Sequence, residues 1–362
     1  MGFETISSLH DDLLTPKALG HLGEYDDYPR RFDVTEKSVI RRIEQFGVDI
    51  KEVEDVLEKK IHELTWSEYL SLVSEAIRAK YDVIVGSVFD RYAFPGTEDK
   101  SDWMRWDKMR ELISLYEDAH VSFGVNLIRR KSDFGESGNL VLCLEAGAHL
   151  ITDMSRLEML DDYGVRIFGF QYGIDTPLAT NRGGLTEFGI RALEYCFDRS
   201  LMVDLAHSSV KTRSDILDRA EDRGFGHLVS YTHGSTEKDM MESWKDKVGE
   251  RALMEREVKR LVSIGGIVGL GVSEPFFDGA ESVAKRIFET AQLDRGIDRV
   301  AIGTDFGGLS PDYLHDVRNP DDFNRISDIL SERFGVDDDS IRKVLRKNVR
   351  DWIGSAMTLS GR

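Results

Sequence analysis

The chain has 362 residues, 41% hydrophobic and 31% charged: too long for one small module, and within reach of one large α/β domain carrying insertions. Its 48 Lys and Arg stand against 66 Asp and Glu, a net charge of −18, and an acidic surface without a dense basic patch argues against nucleic acid as a partner. Two cysteines, Cys143 and Cys196, both in apolar runs, exclude a disulfide framework, and no run approaches about 18 apolar residues, so no membrane span is expected.

Phe3–Leu9 reads as a first strand, ending at His10-Asp11-Asp12. Met1-Gly2-Phe3-Glu4-Thr5 carries no basic leader, so a cytoplasmic chain is expected. An acidic stretch leads into helical patterning from about Glu36 to Lys80, where Val39, Ile40, Ile43 and Phe46 share one face. From Tyr81 onward, apolar runs alternate with amphipathic segments. Strands are predicted at Val83–Phe89, Val121–Ile128, Leu140–Leu144, Val165–Tyr172, Leu201–Ala206, His227–Thr232, Gly266–Gly271 and Val300–Thr304. Helices are predicted at Asp102–His120, Ser155–Tyr163, Leu185–Asp198, Lys211–Gly224, Ala252–Ser263 and Glu281–Leu293, with Asp321–Phe334 and Asp339–Ile353 closing the chain.

This beat implies a parallel sheet covered by helices, a single (β/α)8 TIM-like barrel. With Phe3–Leu9 there is one strand too many, and Val121–Ile128 is the one to discard, since only a loop separates it from Leu140. A doubly wound open sheet is the alternative, without its usual glycine-rich nucleotide loop. One domain over residues 1–362 is expected, with a helical insertion at about 30–80 and C-terminal helices at about 321–355.

Polar residues stand where the apolar runs end: His10 and Asp12, Glu145, His207, His233 and Asp305. In a barrel of parallel strands these ends open on one face, so the six side chains converge. Carboxylates gathered in a dehydrated mouth repel one another, and divalent cations relieve that repulsion. Two ions against three carboxylates and one hydroxide are neutral, which suits a pair of metals roughly 3.5–4 Å apart. Singly, each residue has a plainer reading: His207 flanking a helix capped by Ser208 or Ser209, Glu145 paired with Arg166, Asp305 in a turn.

At these positions the chain resembles the membrane dipeptidase family of metallopeptidases, within the amidohydrolase-like barrels. Leu9-His10-Asp11-Asp12-Leu13 is similar to the family's Asp-Gly-His-Asn-Asp-Leu opening, and Leu144-Glu145-Ala146-Gly147 to its Val-Glu-Gly-Gly. Gly164-Val165-Arg166, Gly184-Leu185-Thr186-Glu187-Phe188-Gly189, Val203-Asp204-Leu205-Ala206-His207, Ser230-Tyr231-Thr232-His233 and Gly303-Thr304-Asp305-Phe306 follow in the family's order. The likeness runs from His10 to about Ile353 and is poor over Leu13–Lys80.

The resemblance implies that His10 and Asp12 hold one metal, His207 and His233 the other, that Glu145 bridges them, and that Asp305 touches the first and handles the proton. It implies two divalent ions, zinc first with iron or manganese as alternatives, and an arginine for the substrate carboxylate. Arg251 is the best match for that arginine, with Arg256 the alternative. Where the family has Thr-His, this chain has Gln171-Tyr172, so Tyr172 is the candidate hydrogen-bond donor to an oxyanion and a substrate contact. The expectation is an amide hydrolase acting through a metal-bridging hydroxide on a dipeptide or similar small carboxylate-bearing substrate, in a homodimer. A hydrolase of a lactone, ester or acyl-amino acid, a metal-dependent tailoring enzyme and a silent scaffold are the competing readings.

Overall fold

The computed structural model describes residues 44–57 apart from 46, 66–89, 106–273 apart from 244 and 246–248, 276–306 and 314–358, together with the backbone of 3–9. In chain order, β1 (Phe3–Leu9) precedes α1 (Ile50–Leu57), α2 (Trp66–Lys80), β2 (Tyr81–Phe89), α3 (Trp106–Phe123), the short β3 (Asn126–Leu127), β4 (Asn139–Ala146) and α4 (Met154–Asp162). Next come β5 (Val165–Gly169), a small antiparallel pair formed by β6 (Ala179–Thr180) and β7 (Gly184–Leu185), α5 (Glu187–Asp198), β8 (Met202–Asp204), α6 (Val210–Asp222) and β9 (Val229–Tyr231). They are followed by α7 (Glu255–Ser263), β10 (Ile267–Leu270), α8 (Ala280–Ala291), β11 (Val300–Ile302), α9 (Phe323–Phe334), α10 (Asp338–Arg346) and α11 (Asn348–Thr358).

The main sheet has the order β1-β2-β4-β5-β8-β9-β10-β11, and every neighbouring pair is parallel. A helix separates each strand of this path from the next, as parallel neighbours require. The first and last strands lie side by side, and α10 and α11 pack against that seam. The (β/α)8 architecture is therefore as the apolar beat implies. β4 shows why the strands read as continuous apolar runs: all of Asn139–Ala146 is buried, helices covering one side and the barrel interior the other. Each aliphatic side chain buried in this way contributes roughly 1.5–3 kcal/mol.

Two predicted elements change shape. Val121–Ile128 is not a barrel strand: Val121–Phe123 is the last turn of α3, and Gly124, at φ +70°, ends the helix. Val121 is 73% exposed, so its apolar character marks no buried face. Only Asn126 and Leu127 pair, with Asn139 and Leu140 of β4, ahead of the register where β5 joins at Leu142. At the C-terminus, the expected single helix over Asp339–Ile353 is broken at Lys347, where φ is −141°. The buried Asn348 side chain donates to Ile297 O at 2.7 Å and Val300 O at 2.8 Å, which ties the chain to the start of β11 and reorients the last helix. Helices α1 and α2 fall within residues 30–80, while the predicted face formed by Val39, Ile40, Ile43 and Phe46 lies outside the described residues.

Candidate metal centre

Glu145 lies at the end of β4, His207 three residues beyond β8 and His233 two beyond β9, so the curl of the β4-β5-β8-β9 stretch brings them together at one end of the sheet. One ligand atom from each lies within 4.8 Å of the others. His207 Nε2 is 2.7 Å from His233 Nε2 and 3.1 Å from Glu145 Oε1, and His233 Nε2 is 3.6 Å from the same carboxylate oxygen. All three side chains are nearly or wholly buried. Burial pushes the His207 imidazole down to about 4, partly offset by its hydrogen bond to Glu145, so it is neutral at pH 7.

Two imidazole nitrogens and a carboxylate oxygen converge in a dry site, where lone pairs aimed at one another repel. A cation resolves that conflict, and the nitrogen and oxygen donors suit a first-row divalent ion. The surroundings fit. Thr232 Oγ1 donates to Asp204 Oδ2 at 2.6 Å, so at 3.0 Å it accepts from His233 Nδ1–H, which turns His233 Nε2 towards the cluster. Asp204 also accepts from Thr232 N at 2.8 Å; burial pushes its carboxyl upward, while His233 and these hydrogen bonds pull the other way. Ser87, on β2, donates its hydroxyl to Glu145 Oε2 at 2.6 Å, which leaves Oε1 turned to the histidines.

Local backbone explains the close approach. Gly303, at the end of β11, lies so near β9 that a β-carbon there would sit 2.2 Å from Thr232 O. Two residues on, Asp305 is buried with φ +54°, and His207 has φ +60°. Left-handed backbone at two non-glycine site residues is the kind of strain that collects at functional positions. Ser209 accepts from Thr212 N and caps α6, so the helix-flanking reading of His207 also holds, alongside its place in the cluster. Glu145 does not pair with Arg166, which binds Asp161 instead.

Tyr172 follows β5, and Gly173 N donates to His207 O at 3.1 Å, which holds the Tyr172 ring 4.1 Å from the His207 ring between centroids. The Arg251 guanidinium lies 5.8 Å from the centre of the Tyr172 ring. Burial, then the charges of Glu145 and Asp305, push the Tyr172 phenol well above its ordinary value, with Arg251 opposing. Glu145, His207, His233, Tyr172 and Arg251 thus share one mouth; Asp305 stands near enough for its charge to act on Tyr172, but among the described residues the group whose ligand atoms converge is Glu145, His207 and His233. Arg256, on α7, is exposed and makes no contact of this kind. His10 and Asp12 lie outside the described residues; β1 delivers the chain towards them with Leu9 paired to Gly86, beside Ser87.

Sequence reading missed Ser87, Asp204 and Thr232. A carboxylate within the apolar run Met202–Ala206 is a visible anomaly, but its hydroxyl partner on the next strand is not.

Residues 104–356 match the family model for membrane dipeptidases, peptidase family M19. This chain belongs to that family. An uncharacterized dipeptidase of Schizosaccharomyces pombe is 28% identical over 241 residues, 60% of this chain and 54% of that protein, so the match spans about half of the relative's length. Among solved structures, a family M19 metallopeptidase called dipeptidase AC superposes with a TM-score of 0.63 at 16% identity, covering 77% of this chain and 87% of its own. A metallopeptidase from Rhodobacter sphaeroides, liganded with a phosphinate mimic of the dipeptide L-Ala-D-Ala, gives a TM-score of 0.60 at 16% identity, covering 76% and 87%. For the M19 fold, the mouth where Glu145, His207 and His233 meet is the C-terminal end of a parallel barrel, where active sites of such barrels sit. Among the described residues, no helix is long and apolar enough to cross a membrane.

Proposed function

We propose that this M19 protein is a metal-dependent dipeptidase that hydrolyses the amide bond of a dipeptide or a similar small substrate bearing a free carboxylate. The observation that carries this reading is the convergence of Glu145, His207 and His233 beside Tyr172, Arg251 and Asp305. In this reading His207, His233 and Glu145 hold divalent metal, zinc first with iron or manganese as alternatives, and His10, Asp12 and Asp305 complete a second position. Bound there, the metal supplies Lewis acidity towards a carbonyl group and towards water.

The remaining chemistry belongs to the chain's own groups. Arg251 pairs with the substrate carboxylate and so sets which end of the substrate enters first. Tyr172, its phenol kept protonated by burial, donates a hydrogen bond to the carbonyl oxygen as negative charge develops there. Asp305 takes a proton from the attacking water on a carboxylate oxygen and returns it to the leaving amine. Ser87 holds Glu145 in one orientation, and the Asp204–Thr232 pair does the same for His233.

A neutral phenol stabilises an oxyanion less than an imidazolium would, which favours a second reading: a more activated carbonyl, in an ester or lactone. One experiment separates the two. Metal content is measured by elemental analysis, and the loaded protein is offered dipeptides, including L-Ala-D-Ala and others with D-configured C-terminal residues, beside ester, lactone and N-acyl substrates. Dipeptide turnover abolished by a chelator and restored by one divalent ion is expected. Turnover of esters or lactones alone moves the reaction to the second reading, and a folded protein that takes up no divalent ion overturns both.

A further inference from the structure

Arg213 sits in the first turns of α6, outside the mouth, and its side chain is wholly buried. All five of its N–H donors are used. Nε and Nη2 each donate to one carboxylate oxygen of Glu257 on α7, both at 3.0 Å. Nη1 donates to Ser208 O at 2.7 Å and Glu250 O at 2.9 Å, and Nη2 to Ala252 O at 3.1 Å. Three of these five bonds end on main-chain carbonyls, and their positions are informative. Ser208 follows His207, and Glu250 and Ala252 flank Arg251. Glu257 in turn accepts from Met254 N at 2.8 Å, which fixes the start of α7 against the same loop.

A buried ion pair is weak evidence for stability, because an apolar pair of similar volume often serves as well. What an apolar pair cannot do is hold three carbonyls from two separate segments at fixed separation. The planar, five-donor fork of arginine can. Arg251 lies 5.8 Å from the Tyr172 ring, and its backbone is fixed there from two sides: Tyr231 Oη donates to Arg251 O at 3.0 Å, and Arg213 grips the residues on either side. We propose that Arg213, held by Glu257, is a positioning residue that sets the distance between the carboxylate-binding Arg251 and the metal ligand His207, and so determines selectivity for substrates ending in a free carboxylate. This rests on the dipeptidase reading for the role of Arg251.

The test uses the metal-loaded full chain and two variants, Arg213→Met/Glu257→Met and Arg213→Lys; the lysine keeps a charge beside Glu257 but has three donors and no fork. The probes are L-Ala-D-Ala, or the dipeptide favoured in the screen above, and its C-terminal amide. Both variants are expected to fold and keep their metal, to exchange the backbone amides of residues 249–254 faster than wild type, and to raise KM for the dipeptide about tenfold or more, with kcat changing much less. KM for the amide should stay within about twofold, and adding Arg251→Ala to either variant should cost nothing beyond Arg251→Ala alone. Unchanged amide exchange at 249–254, or equal loss on acid and amide, overturns the proposal and leaves Arg213 as packing. If exchange quickens but Arg251→Ala itself leaves the acid–amide preference intact, the carboxylate role of Arg251 fails and the selectivity role of Arg213 falls with it, while metal-dependent hydrolysis stands.

Discussion

Burial and the charges of Glu145 and Asp305 raise the Tyr172 phenol, which favours its role as a hydrogen-bond donor over that of a base. Tyr172→Phe removes one hydroxyl without removing a ligand. Its kcat should fall by about 10²-fold, as expected for one oxyanion donor, with metal content unchanged. His207→Ala should do the reverse and release metal, because the cluster loses the nitrogen nearest both partners. Elemental analysis and turnover measured on the same two preparations check this: full turnover by Tyr172→Phe removes the phenol from the chemistry.

At the scale of elements, the motif Gly184-Leu185-Thr186-Glu187-Phe188-Gly189 shows how a family signature can be structural. Thr186 caps α5, its hydroxyl accepting from Gly189 N at 2.9 Å and donating to Pro177 O at 2.6 Å. Thr186→Ala should therefore cost about 1 kcal/mol of stability, read as a lower urea midpoint with unchanged slope, and leave metal content alone. An unchanged midpoint would mean that the cap is redundant. The strands bearing Glu145, His207 and His233 were legible because each apolar run stops at a residue that a buried strand disfavours, and parallel pairing sends those stops to one end. Arg213 was not legible. It looks like any helix-surface arginine until α7 and the Glu250–Ala252 segment fold over it, and those contacts link residues 37 to 44 positions apart. The α3–β3 boundary was hidden for a different reason: Val121 and Phe123 are apolar, and only the backbone reversal at Gly124 separates helix from strand.

For the whole molecule, the net charge of −18 acts on every approaching substrate before any residue touches it. A dipeptide with free amino and carboxyl termini is a zwitterion and gains or loses little in that field. Its N-acetylated counterpart is a monoanion, repelled by the acidic surface until it reaches Arg251. Screening distinguishes the two, because the Debye length falls from about 30 Å at 0.01 M salt to about 8 Å at 0.15 M. Over that range, kcat/KM for an N-acetyl dipeptide should rise by roughly two- to threefold, whereas the value for the free dipeptide stays flat. A rate for the anion that instead falls with salt would mean that the mouth around Arg251 attracts anions more strongly than the acidic surface repels them. An acyl-amino acid would then suit this barrel better than a zwitterionic dipeptide, and the substrate class, though not the metal centre, would have to be redrawn.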